Sequence, residues 1–389
     1  MANNRNWQDE DIKKLIKLRK ENQKTWQELT VDFPGFTANA LRKAFYRYEG
    51  YELEVDPIVT SLQAAQRATK AKAIAVKENK VVIDYLQKRQ DLLSEIKELI
   101  ESTKFTKPVI IKPKVDKHKR KMTIETMLTD LHYGKKSKTF NVEIAKRRMK
   151  KMGQVVLSEI ERYSKLYNIE HLITFLGGDI IENANFHGIE SRRASEFGNS
   201  EQIVHAVKSL FEDYFVPTAS TGIPMTVVCV TGNHDREDPQ QTFQDPGKEN
   251  LTWIIYKMLE QMCQLAGFKH ITFVIPDGVY YVCDIYGSPV LYEHGNFIKG
   301  GITRKSCEAH LAKRSKQVGK LIRFARFGHF HEKTMFGRGR VIVNASLPGQ
   351  DSYSEINGYD SEASQTINYY IETEDRPDPF YHSFPVCLE

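Results

Sequence analysis

Residues 122–134, MTIETMLTDLHYG, begin as an apolar and β-branched run and end on two metal-loving side chains, Asp130 and His132, followed by a glycine. Such a run has the composition of a buried strand, and the polar residues at its end mark where a strand leaves the core. The same grammar recurs four times downstream. HLITFL leads to Asp179 in GGDIIEN, MTVVCVT to Asn233 and His234 in GNHD, SPVLY to His294 in EHGN, and IRFARF to His329 and His331 in GHFH. Between the first three runs, roughly 142–167 and 201–216 read as helices, giving strand, helix, strand, helix, strand with candidate ligands at strand C-terminal ends. In an open α/β sheet that rim is where ligands gather. Gly178, Gly232, Gly295 and Gly328 touch the ligands, where a Cβ would obstruct close backbone approach.

Two carboxylates (Asp130, Asp179), one amide (Asn233) and four imidazoles (His132, His294, His329, His331) make a mixed oxygen and nitrogen donor set. That set suits Mn, Fe, Zn or Ni far better than Ca or a lone Mg, and it is large enough for two ions side by side.

Taken in order, DxH, GD, GNHD, H and GHxH closely resemble the motifs of the calcineurin-like metallophosphoesterases, over about residues 121–350. The resemblance implies an α/β fold, a four-layer α/β/β/α sandwich, and two divalent metal ions, Mn first, with Fe, Zn, Ni or Mg as alternatives. Asp130, His132, Asp179 and His331 would hold one ion, and Asp179, Asn233, His294 and His329 the other, with Asp179 as the bridge. It also implies a water shared by the two ions and activated for in-line attack on phosphorus. His234, beside a ligand, is then the candidate to stabilise the transition state or protonate the leaving oxygen, with Asp235 fixing its orientation. Protein Ser/Thr phosphatases of this fold carry Asp-Arg-Gly after GD and use GNHE, unlike GGDIIEN and GNHD here. Repair exonucleases of the SbcD type share GNHD and DxHxG, as do several small-diester phosphodiesterases. SbcD-type enzymes add a capping domain and an ATPase partner, whereas 58 residues follow His331 here. GRVIVNASL, TINYYIET and the tail are expected to complete the second sheet.

Residues 3–50 have an independent signature. Trp7, Trp26 and Phe45 stand nineteen residues apart, and the segments around them read as three helices. This resembles a Myb/SANT-like helix-turn-helix module, with the aromatics as core. Thr37 would cap the third helix, which offers Asn39, Arg42, Lys43 and Arg47 to DNA. Residues 1–122 hold 26 Lys/Arg against 17 Asp/Glu, while residues 123–389 hold 30 against 33. The basic surplus is therefore all N-terminal, which supplies phosphate-backbone affinity that a small-molecule enzyme does not need.

Residues 51–120 read as a connector: a long helix over about 57–104, then the basic stretch KFTKPVIIKPKVDKHKRK as an extended linker. Val82, Leu86, Leu93, Ile96 and Ile100 keep a 3-4 spacing, read either as packing on the catalytic domain, residues 121–389, or as a homodimer seam through 80–104. NANFHGIESRRASEFGNSEQ, after the second motif, is a loop insertion at the rim with His187, Arg192 and Arg193 as candidate substrate contacts. DREDPQQTFQDPGKEN reads as a surface loop leading into a helix near 250–266. Five cysteines without CxxC pairing argue for buried thiols in a reducing cytosol. The start MANNRNWQDEDIKK has no apolar signal segment, and no run approaches a membrane span, so a cytoplasmic location in a bacterium or phage-infected host is expected.

The function expected is a two-metal DNA nuclease, exo- or endonucleolytic, of phage or bacterial replication and repair. The alternatives are a phosphodiesterase of cyclic or linear dinucleotides and, further off, a DNA-binding protein with a vestigial metal site.

Overall fold

All five apolar runs form strands in the computed structural model, which describes residues 7–48, 108–111, 113–237, 249–350, 362–374 and 378–389 with scattered positions from 69 to 94. The chain divides into two compact units, Met1–Gln90 and Asp91–Glu389.

The first unit carries α1 (Asp9–Lys20), α2 (Leu29–Asp32) and α3 (Ala38–Tyr48). Ile12, Leu15 and Ile16 of α1 recur at helical spacing and meet Leu29, Phe33, Leu41, Ala44 and Phe45 in one apolar cluster. Thr37 Oγ1 accepts from the Ala40 N–H at 3.3 Å at the start of α3. Of the three evenly spaced aromatics only Phe45 is fully buried, with Trp26 5.4 Å from it. Trp7 lies against Phe33 and Phe36, so the sequence spacing did not identify all the aromatic partners. The described positions between Thr69 and Ser94 are helical; Val82, Leu86, Leu93, Ile96 and Ile100 lie outside the described residues.

In the second unit, β1 (Lys121–Leu128), β2 (Asn168–Leu176), β3 (Met225–Cys229) and β4 (Ile271–Val274) pair in parallel. Between them run α4 (Val142–Ser164), α5 (Ile189–Ala194), α6 (Asn199–Ser209), a π-helical segment (Leu210–Phe215), α7 (Val216–Ala219) and α8 (Leu251–Leu265). A second sheet, in the order β5 (Tyr280–Ile285), β6 (Ser288–Glu293), β7 (Phe324–Phe327), β9 (Val341–Val343), β8 (Thr334–Phe336), is crossed by α9 (Arg304–Val318) between β6 and β7. One apolar cluster joins the first sheet to α4, α6 and α8, a second fills the space between the sheets, and a third joins the second sheet to α9. Alternation along the strands sorts the side chains: Leu172 and Leu176 of β2 face the helices, and Ile173 and Phe175 face the other sheet.

Two expectations need correction. β9 joins the second sheet as expected, but β10 (Ser364–Ile371) and β11 (Phe380–Cys387) extend the first, β10 lying antiparallel to β1. Every residue of β10 is buried, as suits an interior strand covered on both faces. The insertion after the second motif is not all loop, since it contains α5 and the first turn of α6. Of the stretch 235–250, residues 238–248 lie outside the described residues. The linker is non-helical where described and is tied down: Ile111 N–H donates to the Ser220 carbonyl at 2.9 Å, and Asn168 brackets Asp116 and Lys119.

Between the sheets sits a buried charge pair. Arg326 Nε donates to Glu125 Oε2 at 2.7 Å, both side chains being fully buried, and Tyr292, Asn368 and Tyr370 donate to the same carboxylate. Arg326 also caps the Ala325 and Gly339 carbonyls. No helix among the described residues is long and apolar enough to cross a membrane. Cys229, Cys263 and Cys307 are buried and free.

Candidate metal centre

Where β1, β2 and β7 end, the backbone turns left-handed at the expected ligands. Among the described residues nine non-glycines have positive φ, and five of them are Asp130 (53°), His132 (47°), Asp179 (50°), His329 (72°) and His331 (60°). Each such residue costs about 1–2 kcal/mol relative to ordinary backbone, so a cluster of five points to a site rather than to folding. Close-packed glycines hold the arrangement. A Cβ on Gly232 would meet Asp179 Oδ1 at 2.0 Å, one on Gly328 would meet Asp130 Oδ2 at 2.3 Å, and one on Gly178 would meet the Gly232 nitrogen at 2.4 Å. The His329 N–H donates to the Asp130 carboxylate at 2.9 Å and the His234 N–H to Asp179 Oδ1 at 2.8 Å, so the loops are stitched across the rim.

The seven expected ligands come together in two groups. In the first, His132 Nε2 and His331 Nε2 face each other at 3.1 Å, with Asp130 Oδ1 3.4 Å from His331 Nε2. In the second, His294 Nε2 lies 3.2 Å from both Asp179 Oδ2 and Asn233 Oδ1, and His329 completes the cluster. Burial pushes His132 and His329 down to about 4, so both are neutral imidazoles with a lone pair to give. Burial also opposes charge on His294, but the Asp179 carboxylate outweighs it and raises that ring to about 10. For Asp130 and Asp179 burial alone would raise the carboxyl; the surrounding histidines overcome it and hold both below the usual carboxylate range.

The donors fit divalent ions. His132 Nδ1 lies 2.8 Å from Glu182 Oε2, close but outside hydrogen-bond geometry, so the carboxylate favours a proton on Nδ1 electrostatically while Nε2 faces His331. The second ring is oriented the same way, His294 Nδ1 lying 2.7 Å from the Gly177 carbonyl. Paired imidazole nitrogens 3.1 Å apart, beside a buried carboxylate, are a donor set that a cation completes.

His234 stands beside the first group, its ring 4.8 Å from that of His132. Its Nδ1 is 2.8 Å from the Glu182 carbonyl, and Phe186 stacks on its face at 4.1 Å. The orienting role expected of Asp235 therefore falls to Glu182 and Phe186. Asp235 is fully buried, and its Oδ2 accepts from the backbone N–H groups of Gly232 and Asp179, which fixes the loop and not the ring. Burial and the neighbouring Asp179 raise its carboxyl to about 7. Sequence reading missed Glu182, although its place three residues after Asp179 in GGDIIEN was visible. Phe186 carried no signal, since an aromatic in an insertion is unremarkable.

Of the expected substrate contacts, His187 is exposed with its ring 6.3 Å from His234, Arg192 Nη2 donates to Asn185 Oδ1 at 3.3 Å, and Arg193 is exposed. Asn39, Arg42, Lys43 and Arg47 all lie exposed on α3, opposite buried Leu41, Ala44 and Phe45.

No protein-family model and no curated protein matches this chain. Among solved structures, it is similar to zinc-bound Vps29 from Entamoeba histolytica (12% identity, TM-score 0.27, 68% of this chain and 99% of that one). It is also similar to a predicted phosphoesterase from Streptococcus pneumoniae (10% identity, TM-score 0.28, 68% and 98%). A third is an archaeal phosphodiesterase (10% identity, TM-score 0.31, 68% and 99%). Likeness at this level assigns no role to this chain.

Proposed function

We propose that this protein is a calcineurin-like metallophosphoesterase, a two-metal phosphodiesterase acting on DNA, with residues 3–50 as a Myb/SANT-like delivery module, 51–120 as connector and 121–389 as the catalytic domain in the family's four-layer arrangement. The observation that carries the reading is the pair of donor groups raised on left-handed backbone at one rim. Asp130, His132, Asp179 and His331 would hold one ion, and Asp179, Asn233, His294 and His329 the other, with manganese as the first choice. Two divalent ions there supply Lewis-acid activation of a water and neutralise charge building on the phosphate.

The chain's own residues supply the rest. With Nδ1 anchored on the Glu182 carbonyl, His234 has Nε2 left to exchange a proton with the leaving oxygen. Phe186 covers one face of that ring and limits its rotation. The exposed Asn39, Arg42, Lys43 and Arg47 support DNA as the substrate, because they put amide and cationic groups on one helix face of the basic end of the chain.

End-labelled linear DNA and covalently closed DNA, incubated with the protein in Mn²⁺, with EDTA and Asp179→Ala as controls, test this. Cleavage that needs Asp179 is expected, and cutting of the closed circle separates endo- from exonuclease action. Hydrolysis of a chromogenic diester with no cutting of either DNA would favour the small-diester alternative.

A further inference from the structure

Loop 179–183 holds His234 by its backbone and by its ring. The His234 N–H donates to Asp179 Oδ1 at 2.8 Å, Nδ1 lies 2.8 Å from the Glu182 carbonyl, and the His234 carbonyl accepts from Asn183 Nδ2 at 2.7 Å. These contacts leave Nε2 to act on a substrate, and Asn183 ties them together. The Glu182 carbonyl and the Asn183 N–H belong to one planar peptide unit, so whatever holds one side of that unit aims the other. Buried Gln202 does so: its Oε1 accepts from the Asn183 N–H at 2.9 Å while its Nε2 donates to the Phe197 carbonyl. The Asn183 carbonyl in turn accepts from the Phe186 N–H at 3.0 Å, and Phe186 is the ring stacked on His234.

The Asn183 side chain is buried and fully used. Nδ2 gives its second hydrogen to the Arg236 carbonyl at 2.8 Å, and Oδ1 accepts from the Asn185 N–H and from Asn199 Nδ2. An amide bonded on every side can take only one orientation. The residue stands on left-handed backbone, φ 62°, which asparagine and aspartate tolerate better than other side chains with a Cβ.

We propose that Asn183 is a positioning residue for His234, fixing the imidazole through its peptide unit, its amide and Phe186 so that Nε2 meets the leaving oxygen. The proposal rests on the phosphodiesterase reading of the rim. In that reaction the oxygen of water bonds to phosphorus as the P–O bond to the leaving group breaks. The leaving oxygen takes the Nε2 proton, and the proton given up by the water restores the ring. An alkoxide needs that proton to depart, whereas a nitrophenolate, a weak base, leaves without it.

The methyl and p-nitrophenyl esters of thymidylate, which differ in one leaving group, test this with full-length, manganese-loaded wild type, Asn183→Asp and Asn183→Gly. Aspartate puts an acceptor against two carbonyls, and glycine removes the amide on backbone it adopts freely. Hydrolysis of the methyl ester is expected to fall about 10²-fold in each variant and that of the nitrophenyl ester about tenfold less, with metal content kept. NMR of the histidine rings in EDTA gives a readout that needs no turnover: the His234 Nδ1–H signal should shift or vanish in both variants. Equal losses on the two esters, metal lost in step with activity, or a His234 signal unchanged in both variants would each overturn the proposal. A His234 signal that responds in a protein hydrolysing neither ester would keep Asn183 as the anchor of that ring and sink the phosphodiesterase reading. Hydrolysis of both esters by variants as fast as wild type would do the reverse.

Discussion

Two buried constellations of charge lie in the same compact unit, Asp91–Glu389, and they are built in opposite ways. Between the sheets, both Glu125 oxygens and three Arg326 nitrogens meet partners, and none of Glu125, Tyr292, Arg326, Asn368 or Tyr370 has positive φ. At the rim, imidazole nitrogens face each other, carboxylates sit among histidines, and five of the expected ligands stand on left-handed backbone. Buried charge alone is therefore no mark of a site. Charge saturated on relaxed backbone pins a fold, and unsaturated donors on strained backbone are held for a ligand.

Substitutions should separate the two. Asp179→Asn is expected to drop phosphodiester hydrolysis to background while thermal unfolding stays cooperative. His234→Ala should lower turnover by about 10²–10⁴-fold with metal content kept, measured by steady-state kinetics beside metal analysis; metal lost in step with activity would make His234 a ligand. Glu125→Ala should do the converse, destabilising the fold by about 3–5 kcal/mol in denaturant titrations because Arg326 is left buried and unpaired, with the metal content of the folded fraction unchanged. Glu182→Gln, which weakens the hold on His132 Nδ1, should reduce metal affinity by about 10–100-fold.

The smallest expected effect is on pH. His294 is raised to about 10 by Asp179, so at neutral pH its ring carries a proton that a metal must displace. Metal affinity should climb with pH toward that value, and calorimetry in buffers of different ionisation heat should show close to one proton released per chain. Affinity flat from pH 7 to 9 would contradict this.

The strands under the rim were legible in the sequence because each expected ligand follows a short apolar, β-branched or aromatic run, and all five runs form strands. β4 and β5 were not, since their residues are mostly half-exposed and the pattern lacks a clean apolar face. α9 hid behind a charged surface, burying only Cys307, His310 and Leu311. TINYYIET was read correctly as a strand but placed in the wrong sheet, because burial on both faces says nothing about which neighbour it pairs with. Asp235 was misassigned because adjacency to His234 in GNHD does not fix where a side chain turns; its Oδ2 accepts from Gly232 and Asp179.

The most direct measurement is metal content per chain by mass spectrometry after manganese loading and desalting, for wild type and Asp179→Asn side by side. Two ions in the wild type and at most one in the variant are predicted. A wild-type chain that retains no metal, or a variant that holds as much as the wild type, would contradict the reading of this rim as a two-metal centre bridged by Asp179.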